Sequence, residues 1–137
     1  MKWASYIFFF GYAGTCVIAG VAGAVAAPLD IQIISGMHTQ TLGVSSAVDL
    51  LSQYRFLRAI EAGFGLLVIT QWRRIYAEQF ANRVFLVAMA GGIGARLLGL
   101  VVDGVPSWFL RSFLISEIVG IVIIFLYTRR SVRPWTR

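Results

Sequence analysis

The sequence predicts an all-α integral membrane protein, a four-helix transmembrane bundle with both termini in the cytoplasm. Three observations predict it. The 137-residue chain is 58% hydrophobic and only 13% charged, with a mean hydropathy of +0.79, more apolar surface than a soluble globule of that size hides. Four apolar segments each supply the ~20 residues that a helix needs to cross the hydrocarbon core. Basic residues gather on alternate connections between them, which is an orientation pattern.

The first segment covers about residues 4–27 and ends at Pro28, which cannot continue a helix. With Lys2 before it and "AVAAP" at 24–28, it resembles a secretory signal. Its apolar run from residue 6 to 27 exceeds the roughly 7–15 residues of a signal core, so it reads as a retained helix. Cys16, the single cysteine, forms no intrachain disulfide and reads as a small buried filler. Residues 29–45 form a mixed loop with room for a short surface helix. The second segment, about 47–72, opens on "SSAVD", where Ser46 and Asp49 have capping-box spacing. The third covers about 84–102. "DGVPS" at 103–107 is a tight turn into the fourth, about 108–127. A single membrane domain, 1–137, is expected.

Arg73, Arg74 and Arg83 flank the connection between segments two and three. Arg129, Arg130, Arg133 and Arg137 follow segment four, and Lys2 precedes segment one. Residues 29–48 and 103–110 contain no Lys or Arg. The positive-inside rule then places both termini in the cytoplasm. Trp3, Trp72, Trp108 and Trp135 lie near segment ends, where interfacial aromatics belong. The net charge of +6 is thereby accounted for by membrane orientation, and no nucleic-acid partner is expected.

"RFLRAIEAGFGLL", residues 55–67, places three charges inside an apolar run. At 100° per residue, Ser52, Arg55, Arg58, Ala59, Glu61, Ala62 and Gly65 share one side, and Phe56, Leu57, Ile60, Phe64, Leu67 and Val68 the other. The charged, small-residue side is expected to face protein and the large apolar side lipid. Segment three repeats the pattern with Phe85, Met89, Gly92, Arg96, Gly99 and Asp103. Segment four carries Glu117, and segment one supplies the packing glycines Gly20 and Gly23. Counted from the outer surface, Arg55, Arg58 and Glu61 lie about 7, 12 and 16 Å deep, Arg96 about 9 Å and Glu117 about 13 Å. The expectation is one outer-leaflet cluster of Arg55, Arg58, Glu61, Arg96, Asp103 and Glu117, three charges of each sign. It serves either as structural glue that fixes helix register or as a pocket for a small polar or anionic ligand, a lipid headgroup or an ion. Gly20, Gly23, Gly65, Gly92 and Gly99 are the expected sites of close helix packing.

"SQYRFLRAIEAGFGLL", "GGIGARLLGLVVDGVPS" and "ISEIVG" together resemble a bacterial family of four-helix integral membrane proteins filed as a domain of unknown function. The resemblance covers roughly residues 45–125. Its pattern is an Arg in helix two, Gly-x-Arg-Leu in helix three, a Gly-Pro turn and a Glu in helix four. Arg55, Arg96, Gly104, Pro106 and Glu117 match it, with Val105 inserted in the turn, and Arg58 and Glu61 stand outside it. The resemblance implies fold and topology and no activity.

"GGIGARLLG" lacks the Lys-Ser/Thr ending of a phosphate loop and reads as a packing face. His38 is the only histidine and lies in a loop, too few ligands for a metal site. No nucleophile–His pairing is available. The expected function is therefore a non-catalytic accessory or interaction subunit of a larger membrane complex in the bacterial cytoplasmic membrane. The alternative is a small polar-ligand, lipid or ion binder built on the intramembrane charges. Expected partners are membrane lipids and other membrane subunits. No cofactor is predicted, with bound lipid, quinone or pigment at helix interfaces left open.

Overall fold

A computed structural model describes residues 1–132, so Arg133, Trp135 and Arg137, three of the expected flanking residues, lie outside the described residues. Among those described, the elements are all helical: α1 (Lys2–Val25), α2 (Ala27–Ser35), a 3-10 turn (Thr39–Thr41), α3 (Val44–Thr70), α4 (Trp72–Ala77), α5 (Gln79–Val102) and α6 (Trp108–Ser131). α1, α5 and α6 are each long and apolar enough to cross a membrane. α3, at 27 residues, is the longest helix but carries Asp49, Arg55, Arg58 and Glu61 and does not join that set.

The helices outrun the apolar segments that announce them. α5 begins at Gln79 rather than near 84, and α6 runs through Arg129 and Arg130 to Ser131. Hydropathy reports the thickness of hydrocarbon, whereas backbone hydrogen bonding has no reason to stop at the interface. Arginines in the last turn of α6 also suit its negative dipole end. Pro28 has two roles. α1 stops at Val25, the chain bends at Ala26, and Pro28 then sits in the first turn of α2, where its missing N–H costs nothing. The expected loop therefore contains a real helix, closed by Gly36 at φ 72° with its N–H bonded to Gln32 O at 2.8 Å. α3 starts at Val44, two residues before Ser46, so Ser46 lies inside the first turn and is not its cap.

Contacts divide the chain into two compact units, one of residues 13–67 and one of residues 1–12 with 68 onward. In the first, glycines let the backbones of α1 and α3 meet. A Cβ on Gly20 would stand 2.5 Å from Ala62 N and 2.7 Å from Arg58 O, and one on Gly65 2.7 Å from Ala13 O. No larger residue fits such an approach. In the second, α5 packs on α4 and α6. Phe9, Val68, Met89, Ile124 and Thr128 are fully buried there. A layer of aromatics joins them, with Tyr6 and Tyr76 ring centroids 4.7 Å apart and Phe9 and Phe85 5.1 Å apart.

Two expected packing glycines are not used. Gly92 has open space where a side chain would be, and Gly99 meets only the carboxylate of Asp103. The buried stripe of α5 is Phe85, Met89 and Ile93. Gly92 and Ile93 flank the same helix face, and rotating Ile93 inward buries far more apolar surface than glycine does. On α3 the facing is likewise turned from the one expected. Phe56, Leu57, Ile60 and Leu67 are exposed at 53–61%, as the large apolar side should be. Arg55, Ser52 and Ala59 are exposed too, while Val68 is buried. Close backbone contact at Ala62 and Gly65 fixes the inward direction near Arg58, about 60° away from Arg55 at 100° per residue.

Candidate functional site

Each unit holds a polar centre built on an arginine. The first is built on Arg58. Gly20 and Gly23 remove side-chain bulk from α1 where α3 passes, and the space at Gly23 is taken by Asp30 and Arg58. A Cβ there would stand 2.5 Å from Asp30 Oδ2 and 2.7 Å from Arg58 Nε. Asp30 comes from the first turn of α2. Arg58 Nη2 pairs with Asp30 Oδ2 at 2.9 Å, and Nη1 pairs with Glu61 Oε2 at 2.6 Å. Arg58 Nε and Nη2 both donate to Tyr54 Oη, at 3.1 and 2.8 Å, and Tyr54 donates its own proton to Asp30 Oδ2 at 2.6 Å. The guanidinium fork is thus answered on three sides, and only 15% of the side chain is exposed. A planar donor set with fixed geometry suits this; an ammonium would not satisfy it. One cation facing two carboxylates leaves the centre with a formal charge of −1.

The second centre joins α5 and α6. Arg96 Nε lies 3.1 Å from Glu117 Oε2, with the side chains 39% and 13% exposed. Beside it, a groove of about 310 Å³ runs toward the α5–α6 turn, lined by Arg96, Leu100, Asp103, Pro106, Leu110 and Leu114 among others. Gly104, at φ 100°, makes that turn, in the left-handed region where only glycine is unstrained.

A third polar feature joins the start of α1 to α4. Ser5 and Tyr76 are buried. Tyr76 Oη donates to Ser5 O at 3.0 Å, which leaves Ser5 Oγ to donate to Tyr76 Oη at 2.7 Å. Burial pushes the Tyr76 phenol up to about 12, the Ser5 hydrogen bond opposing and the neighbouring Tyr6 and Tyr127 adding to the rise.

The expected single cluster is therefore found as parts. Arg58 and Glu61 meet each other, but their further partners are Asp30 and Tyr54 rather than groups on α5 or α6. Arg96 and Glu117 meet each other. Arg55 and Asp103 are exposed and form no ion pair among the described residues. Asp30 and Tyr54 escaped the sequence reading. Tyr54 stands four residues before Arg58, a spacing that marks a helix neighbour. Asp30 is separated from Arg58 by a bend, a helix and a 3-10 turn, and no periodicity reports that. Among the described residues no His, Cys, Asp or Glu group is placed to hold a metal ion.

Apolar spanning helices with charges paired between or beside them define a helical integral membrane protein. The chain belongs to the family described as a domain of unknown function (DUF4345), whose model matches residues 1–128. A family of this kind is what the resemblance over residues 45–125 implied. No curated protein and no solved structure matches the chain.

Proposed function

We propose that this protein is a small non-catalytic subunit of a larger membrane assembly, crossing the bacterial cytoplasmic membrane four times with both termini inside. The observation that carries the reading is the outward side of α3. Ser52, Arg55 and Ala59 are exposed there beside Phe56 and Ile60. A helix that crosses lipid with a free arginine bears a cost of about 2.5–3.5 kcal/mol at its centre. Small residues flanking that charge invite close approach by another helix, which would also supply its counter-charge. With one histidine and one cysteine in the chain, independent chemistry has little to work with. Photo-crosslinking from position 56 in native membranes, followed by mass spectrometry, tests this. One reproducible protein adduct is expected, lost when Arg55→Gln is introduced. Adducts to lipid alone would refute it.

A second reading, a binder of a polar ligand, lipid or ion, is favoured by one observation: the groove beside Arg96 and Glu117.

A further inference from the structure

We propose that the groove at the α5–α6 turn is a binding site for a zwitterionic phospholipid headgroup, a phosphate with a primary ammonium, as in phosphatidylethanolamine. The proposal rests on the second reading above and names its ligand.

The position of the groove comes first. The turn between α5 and α6 stands at one face of the membrane. A 24-residue helix is about 36 Å long and overhangs a ~30 Å hydrocarbon core by about 3 Å at each end. Arg96 lies six residues before the end of α5, about 9 Å along the axis, hence about 6 Å inside the hydrocarbon. An arginine there draws headgroups and water toward itself rather than accept bare lipid. Its Nε forms an ion pair with Glu117 Oε2, a buried oxygen that accepts no hydrogen bond among the described residues. The two terminal nitrogens belong to a side chain that is 39% exposed and lines the groove. Paired N–H donors of this kind suit phosphate oxygens.

Charge then selects the headgroup. Glu117 neutralises Arg96, so the remaining formal charge in the groove is that of Asp103. Its carboxylate folds back over Gly99, with Oδ2 3.5 Å from where a Gly99 Cβ would stand. Residue 99 is only about 4.5 Å along the axis from Arg96. Donor and carboxylate are thus stacked at headgroup scale, the donor deeper. A purely anionic headgroup meets Asp103 unfavourably. A choline headgroup offers Asp103 no N–H. An ammonium above a phosphate satisfies both. Leu100, Leu110 and Leu114 supply the apolar wall for the proximal acyl carbons.

The test is native mass spectrometry of the full chain in detergent with equal amounts of phosphatidylethanolamine, phosphatidylcholine and phosphatidylglycerol of identical acyl chains. One charge-assisted hydrogen bond predicts retention of the ethanolamine lipid over each competitor by about fivefold or more. Asp103→Asn, an exposed site, should keep the fold by circular dichroism and bring ethanolamine and choline lipids to parity. Leu114→Trp should fill the groove and abolish the preference while lipid bound elsewhere persists. A preference for glycerol or choline lipid that Leu114→Trp removes would overturn the headgroup assignment and leave the groove a ligand site. No preference in the wild type, with Leu114→Trp without effect, would overturn both.

Discussion

Arg58 holds more of this protein's polar structure than any other side chain. It ties α2 to α3 through Asp30, fixes the Tyr54 ring and answers Glu61. Removing it leaves two carboxylates facing each other. Arg58→Met is expected to cost about 3–5 kcal/mol, the cost of breaking a buried pair from one side, nearer the lower figure because Asp30 and Glu61 are 20% and 31% exposed. Tyr54→Phe should cost about 1–3 kcal/mol through the unsatisfied acceptor and donors it leaves. Denaturant titration in detergent micelles measures both, and an Arg58→Met protein as stable as wild type would show that the network contributes nothing. Tyr76 makes a pH prediction. Its folded value, about 12, lies above the usual phenol value of about 10. The folded state therefore prefers the neutral phenol. That preference is fully present below pH 10 and is lost as pH rises from about 10 through about 12. Thermal unfolding followed across that window should show a fall in stability that Tyr76→Phe makes shallower, at the cost of a lower starting stability because Ser5 loses its partner.

Between elements, the glycines separate those that are spent on packing from those that are free. Gly20 and Gly65 meet backbone atoms, Ala62 N at 2.5 Å and Ala13 O at 2.7 Å, and backbone cannot step aside. Gly23 meets the ends of Asp30 and Arg58, which are flexible but committed to each other. Gly92 meets nothing. Alanine substitution should therefore destabilise most at 20 and 65, by about 1–3 kcal/mol of overpacking. It should disturb the Arg58 pairing at 23. At 92 it should be neutral or stabilising by about 0.5–1 kcal/mol, since a mid-helix glycine costs that much relative to alanine. Unfolding free energies of the four variants check the order, and an equal loss at 92 and 20 would mean that α5 packs through its glycines after all. Sequence pattern found the helices, the packing role of Gly20, Gly23 and Gly65, and the pairing of Arg96 with Glu117, two residues on helices joined by a short turn. It misjudged Gly92, Gly99 and Arg55, because a helical wheel states which residues share a side and leaves open how that side is rotated against its neighbour.

For the molecule as a whole, the decisive quantity is the number of crossings. Three helices are apolar enough to span, and α3 is not of their kind. Three crossings put the termini on opposite faces of the membrane, and four put them on the same face. The basic residues Arg73, Arg74 and Arg83 on one connection and Arg129 and Arg130 after α6 are separated by α5 and α6 and share a face under either count; Lys2, before α1, joins them on that face only if α3 also crosses, which is why the proposed even count follows the positive-inside bias. In a Cys16→Ser background, a cysteine at Gln40 should react with an impermeant thiol reagent from outside intact cells, and one at Ala77 only after lysis. Labelling of both from the same side would show that α3 does not cross.

The amino-acid sequence by itself determined the membrane class, the places of the apolar helices along the chain and the turn between α5 and α6. These depend on local quantities, hydropathy and turn chemistry, that neighbouring residues set alone. Tertiary structure decided which charges meet. Arg58 finds Asp30 because α1 ends at Val25, α2 turns back after Ala26, and Gly23 leaves room where they converge. Arg55, one turn away on the same helix, finds no ion-pair partner among the described residues. A charge is visible in a sequence, but its partner is fixed by long-range geometry, and in a membrane that partner decides whether the charge is held within the protein or must be answered by a lipid or by another chain.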